Sequence, residues 1–373
     1  MMKNKLESIQ ILRGLAVLSV VLFHYRFYLV PDGASLELPN KLFGWGNIGV
    51  DLFFVISGFI MVYVTDGKVS GLNTSLNFIV NRLTRVLPTY YIILLFAFLT
   101  GGAMSILHHP AKVSNLISAL TFHPNLTNPA PLYVGESSML NIRWTLNYEI
   151  YFYLAFAVCL LIKPRLFLLI CWLSTPVIVA YFLMPNVTFL TSGYEFSSVM
   201  ARFLTNPIIL EFGIGAIAGY IFKHLKNSNE LFFLALAIIS LISIVFAIAN
   251  GYLEGFNLIT ACSFAMLVIT FSLADRFIVQ FTPRFLIKLG DISFSLYLIH
   301  NPLANFLSDK VENIYPNAMH STLGVIILLT ASILMAILSH EYVEVRLSGR
   351  LRHTVSKYMP GTSKKINQDV QAM

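Results

Sequence analysis

The chain has 373 residues, 57% hydrophobic and only 12% charged, with a formal net charge of +7. Soluble domains carry about 25% charged residues, so this composition excludes an ordinary soluble domain and indicates an all-α polytopic membrane protein. The basic excess does not mark a nucleic-acid partner, because the positive residues follow membrane topology.

Runs of about 20 apolar residues mark spanning helices, since about 30 Å of hydrocarbon needs that many at 1.5 Å each. In chain order the sequence predicts about ten transmembrane helices: 9–30, 46–66, 86–104, 144–162, 166–184, 203–222, 231–249, 256–274, 288–307 and 322–345. The first is too long for a cleaved signal peptide and holds Arg13, so it is expected to be retained. With the N-terminus inside, eighteen of the 25 Lys and Arg residues fall on cytosolic segments. Five fall on outer loops (Lys41, Lys112, Arg143, Arg202 and Lys310), and Arg13 and Arg26 fall within a span. The positive-inside rule therefore predicts both termini in the cytosol.

The stretch LNTSLNFIVNRLTRVLP (72–88) repeats apolar residues at helical spacing and reads as one cytosolic interfacial helix. The outer segment 105–143 is long, nearly uncharged and rich in Pro and Asn, as functional or disordered loops are. The domain organisation is a transmembrane domain over 1–347 and a polar, basic cytosolic tail over 348–373, without internal repeats. Cys159, Cys171 and Cys262 sit in apolar runs without metal-like spacing and read as packing residues.

Two layers of polar residues stand out within the spans. Arg13 and His24 are eleven residues apart, close to three helical turns, so they share a helix face about 16 Å apart. By depth, His24, Asp51, Glu149, Glu211 and His300 fall near one level in the outer half of the membrane. Intramembrane ionisable groups are costly and face a bundle interior or a water cavity, so several at one depth predict a shared polar chamber. Each also has a structural reading: His24 as a hydrogen-bonded histidine, Asp51 as a helix cap, Glu149 as a partner of Arg143 or Arg26. The inner layer is cationic. Arg82 and Arg85, three residues apart, could grip adjacent phosphates with Arg13, or serve as ordinary topology anchors.

A phosphate grip on the cytosolic side, joined to a base deeper in the membrane, suits group transfer from a phosphorylated donor to an outer acceptor. Imidazole titrates near neutral pH and serves well as a general base, and a nearby carboxylate can orient it. Ser57 in VISGF is a weak candidate nucleophile. The chain lacks a Walker A loop, a G-x-G-x-x-G fingerprint, an H-E-x-x-H motif and a G-x-S-x-G elbow. His108, His109 and His123 have no acidic or cysteine partners beside them, so no metal is expected.

The Arg-x10-His pair in LRGLAVLSVVLFH, the GVDLFFVISGF block, the Arg-x2-Arg pair in NRLTRVLP and the late SFSLYLIH block together resemble the acyltransferase 3 family of integral-membrane O-acyltransferases. WTLNYEIYFY is most similar to the exopolysaccharide O-acetyltransferase branch. The resemblance covers residues 12 to 302. It implies a ten-helix membrane domain in a bacterial inner membrane and transfer of an acyl group, most often acetyl, from acetyl-CoA to a carbohydrate hydroxyl.

Carried over by position, the resemblance makes His24 the catalytic base, with Asp51 and Glu149 as acidic site residues. Arg13, Arg82 and Arg85 become contacts to the CoA phosphates, and Trp144, Asn147, Tyr148 and His300 fall to the acceptor side. No permanently bound cofactor is implied; acyl-CoA is a substrate. The expected partners are a polysaccharide or lipid-linked oligosaccharide acceptor and membrane lipid, with no nucleic acid. Some family members carry an appended extracytoplasmic domain. This sequence shows none after the last span, so the expectation is transfer within one chain or handover to a separate extracytoplasmic partner. The competing class is a carrier or flippase for lipid-linked sugars with intramembrane carboxylates as proton relays; the absence of a detectable repeat weakens it.

Overall fold

The computed structural model describes residues 5–101, 107–135, 139–184, 186–226 and 228–357. The chain order is α1 (Glu7–Tyr25), α2 (Glu37–Phe43), α3 (Gly49–Thr65), α4 (Leu72–Thr100), α5 (Pro110–Thr121), α6 (Trp144–Cys159), α7 (Arg165–Leu183) and α8 (Val199–Thr205). It continues with α9 (Ile209–Leu225), α10 (Glu230–Ala249), α11 (Leu258–Leu273), α12 (Asp275–Phe281), α13 (Arg284–Asp291), α14 (Ser293–Glu312), α15 (Thr322–Ser339) and α16 (Ser348–Lys357). A π-helical stretch, His340–Leu347, joins the last two. The described residues contain no strand.

Seven helical segments are long and apolar enough to cross a membrane, or eight if the pair α11 and α12, bent by 85°, counts as one span. This is what a polytopic membrane protein requires. Of the ten predicted spans, those at α6, α11 and α14 fall short. α6 and α11 have 16 residues each, and α14 has 20 but carries Ser293, Ser295, His300, Asn301 and Asp309. Helices enclosed by others need not be apolar all round, and polar intramembrane residues belong in such interiors.

The predicted interfacial helix is a correction. Residues 72–88 and the following span form one 29-residue helix, α4, with Pro88 inside it. Proline removes one backbone bond, a loss that membrane helices tolerate where neighbours compensate. The first half of α4 packs against protein: the Ser75 hydroxyl donates to the Ala157 carbonyl at 2.7 Å, and Phe78 meets Tyr153 and Phe156 edge-on and tilted. Ser75 and Phe78 are what meet α6, while Leu72 and Leu76 of the apolar stripe stay exposed. The first ten residues of the predicted tail are the helix α16, which packs on α4; residues 358–373 lie outside the described ones.

Lys5 meets Asp291 at 2.6 Å, and Arg13 has Glu344 among its charged neighbours, so both described chain ends lie at the same end of the bundle. α3 and α9 cross closely: a Cβ on Gly58 would come 2.1 Å from the Phe212 carbonyl oxygen, and one on Gly215 would come 2.0 Å from that of Val55. Small residues permit such an approach where lipid supplies no hydrophobic drive. One apolar core includes Tyr25, Tyr90, Phe152 and Leu296; a second includes Ile9, Phe59 and Phe264.

Candidate active site

A cavity of about 100 Å³ is lined by α1, α3, α4, α6 and α14. Its polar wall holds Arg13, Arg82, Arg85, Glu149, Tyr153 and Ser57, so the three arginines predicted to act together do share one space. Arg13 Nη1 donates to Gln10 Oε1 at 3.2 Å. Arg82 is buried, with its guanidinium 5.7 Å from the centre of the Phe78 ring and 5.8 Å from that of Tyr153. Aromatic faces at such distances attract a cation. Its Nη2 has no hydrogen-bond partner among the described residues. A buried guanidinium nitrogen left in that state favours an anionic occupant.

Glu149 lines the same cavity and accepts a hydrogen bond from the Tyr153 hydroxyl. Arg13 and Arg82 both have Glu149 among their charged neighbours. Its carboxylate therefore belongs to the arginine-lined space and is not paired with Arg143 or Arg26. A second carboxylate, Glu344, stands by the arginines from the π-helical stretch. It is nearly buried, lies 3.3 Å from His340 Nδ1 and accepts from the Ser295 hydroxyl. Its charged neighbours include Arg85.

His24 lies outside this cavity. Its ring is 5.2 Å from that of His300, and the Asn301 amide nitrogen stands 3.5 Å from its Nδ1. That same amide donates to Asn141 Oδ1 at 3.2 Å. His300 is fully buried; its Nδ1 donates to the Leu296 carbonyl at 3.1 Å, and Nε2 has no partner among the described residues. The Tyr25 hydroxyl, donating to the His300 carbonyl at 2.9 Å, fixes this turn of α14.

Tyr297 joins the two compartments. It lines the cavity, and its ring centre is 5.9 Å from that of His300. Its hydroxyl accepts from Thr145 Oγ1 at 2.9 Å and donates to the Ile142 carbonyl at 3.3 Å.

The single chamber predicted for five ionisable groups is thus three places, which depth along separate helices could not distinguish. Glu149 is with the arginines, and His24 is with His300. Asp51 and Glu211, both fully buried, face one another. Asp51 Oδ1 accepts the Asn257 N–H at 3.1 Å, while its Oδ2 and both oxygens of Glu211 have no donor among the described residues. Neither carboxyl lines the cavity. They sit in the first turns of α3 and α9, where helix ends favour negative charge.

Trp144, Asn147 and Tyr148 also lie off the cavity. Trp144 packs against Phe54 and Phe256, and Tyr148 against Phe203 with its hydroxyl on the Pro131 carbonyl at 3.2 Å. Arg143, counted above as an outer-loop residue, is fully buried, with Nη2 3.5 Å from Asn115 Oδ1.

Sequence reasoning missed Tyr153, Tyr297 and Glu344. Tyr153 follows Glu149 by one helical turn, a spacing at which side chains meet. Glu344 sits at the edge of the last predicted span, 322–345.

The acyltransferase domain family matches residues 6–340 of the chain. The chain belongs to the acyltransferase 3 family. It is 32% identical over 188 residues to the exopolysaccharide production protein ExoZ of Rhizobium meliloti, covering 50% of this chain and 54% of that relative. The alignment thus spans about half of that relative's length. A protein of Haemophilus influenzae, described as uncharacterized, is 25% identical over 239 residues, covering 59% of this chain and 96% of the relative. No solved structure is a significant match.

Proposed function

We propose that this acyltransferase moves an acyl group, most simply acetyl, from cytosolic acyl-CoA to a hydroxyl of a cell-surface or exported carbohydrate at a bacterial inner membrane. The observation that carries the donor assignment is the cavity in which Arg13, Arg82 and Arg85 converge with a buried, incompletely partnered guanidinium. The CoA phosphates are dianionic groups suited to arginine forks. The likeness to an exopolysaccharide production protein supports a carbohydrate acceptor.

In the reaction, an acceptor hydroxyl oxygen bonds to the thioester carbonyl carbon and the C–S bond breaks. His24 takes the hydroxyl proton, which passes to the departing thiolate, so charge and atoms balance. A positioned imidazole contributes about 10²–10⁴-fold to such proton transfers. The three arginines hold the donor. Glu149 orients them and screens their mutual repulsion, and Asn301 with His300 fixes the His24 ring. Trp144, Asn147 and Tyr148 shape the wall behind this site. Asp51, with Glu211, holds α3 against α9.

The donor assignment is tested by titrating labelled acetyl-CoA into the protein in lipid nanodiscs. Saturable binding that falls with Arg82→Ala is expected. Binding that is unaltered in folded Arg82→Ala, or absent from folded wild type, contradicts the assignment.

A further inference from the structure

The arginine cavity and His24 are not contiguous. Neither His24 nor His300 lines the cavity, and what stands at its edge next to His300 is the ring of Tyr297. That ring is held from several directions. Thr145 and the Ile142 carbonyl fix its hydroxyl, and Phe53, another lining residue, meets it edge-on at 5.9 Å and 72°. The two aromatic side chains come from α3 and α14, so the wall is built by tertiary packing and is not the accident of one rotamer. On the proposed function the thioester must be presented toward His24. A donor anchored by the arginines therefore brings its carbonyl carbon to the edge of this ring on the His24 side, with its acyl chain against the ring face.

We propose that Tyr297, backed by Phe53, is the specificity-determining residue that sets the length of the acyl group. This inference rests on the acyl-CoA reading of the cavity. The ring presents a fixed apolar face that an acetyl methyl can meet and that longer chains cannot pass. Its clamped hydroxyl is what makes it a gauge: a freely rotating ring would yield to a longer chain, whereas one held on Thr145 and Ile142 must break hydrogen bonds to do so. A single methylene in a packed apolar pocket is worth about tenfold or more in discrimination.

The test is competition of acetyl-, propionyl- and butyryl-CoA against labelled CoA, on protein in nanodiscs, for wild type, Tyr297→Phe, Tyr297→Ala and Phe53→Ala. Wild type is expected to bind butyryl-CoA at least about tenfold more weakly than acetyl-CoA. Tyr297→Phe should lose part of that preference, because the ring remains but its hydroxyl no longer clamps it on Thr145 and Ile142. Tyr297→Ala should lose it, with butyryl-CoA binding about as well as acetyl-CoA. Where Tyr297→Ala does not give folded protein, Phe53→Ala is read the same way and should lose part of the preference. Folded Tyr297→Ala or Phe53→Ala with wild-type discrimination overturns the proposal, and so does a wild type that binds CoA without discriminating among the three. A folded wild type that binds no CoA at all overturns the donor reading itself, a different result from either.

Discussion

Arg13 and His24 leave the same helix, three turns apart, yet belong to different compartments: Arg13 lines the arginine cavity, and His24 lies beyond Tyr297 against His300. This separation assigns the two residues to different steps. Arg13→Ala should raise the KM for acyl-CoA with little change in kcat. His24→Ala should lower kcat by about 10²-fold or more while acyl-CoA still binds. Steady-state kinetics paired with a binding titration separates the two, and the opposite pattern would reverse the assignment.

Arg82 is buried and lacks a full set of partners, so it is expected to cost stability in the empty protein. A buried guanidinium nitrogen without a partner carries a desolvation cost that a packed apolar side chain does not. Arg82→Met should therefore leave Tm unchanged or higher. It should also weaken acyl-CoA binding by about 10–100-fold, the worth of a charged hydrogen bond. Thermal unfolding and ligand titration on the same preparation check both signs, and a large fall in Tm would mean that Arg82 is a structural tie.

The fold class and the Arg82–Arg85 pair were legible in the sequence because they rest on local signals, apolar run length and charges one turn apart on a helix, whereas Arg13 reaches them from α1 through the fold. Three things were not. The stretch 72–88 reads as a separate amphipathic helix although it runs on into the next span, and only tertiary packing sets its Ser75 and Phe78 against α6. Depth along a helix says nothing of azimuth, so Asp51 and Glu211 looked like neighbours of His24 although they face each other between α3 and α9. α14 lines the cavity with Ser293 and Tyr297, and its polar residues keep it from reading as an apolar span, whereas α6 falls short by its 16-residue length.

Asp51 lies off the arginine cavity and faces Glu211. Asp51→Asn keeps an acceptor for the Asn257 N–H and gains a donor toward Glu211. The KM for acyl-CoA should stay within about twofold of wild type, as for distant independent sites, and Tm should not fall. A KM shift tenfold larger than that would return Asp51 to the donor site.

Glu344 supplies counter-charge near Arg85 and Arg13. Glu344→Gln should lower Tm of the empty protein, because the two guanidiniums then repel each other with less compensation. Saturating acetyl-CoA should recover more Tm in this variant than in wild type, since its phosphates restore the missing negative charge. Thermal unfolding with and without the ligand reads this directly; equal ligand-induced shifts in both proteins would contradict it.

The most direct test of the account as a whole is transfer of label from acetyl-CoA, radiolabelled in the acetyl group, by protein in lipid nanodiscs supplied with a panel of bacterial polysaccharides, wild type against His24→Ala. The account predicts labelled carbohydrate with the wild type, the label released by mild base as expected for an ester, and none with His24→Ala although that variant still binds acetyl-CoA. Label transfer by His24→Ala at the wild-type rate, or a folded wild type that neither binds nor consumes acetyl-CoA, would contradict it.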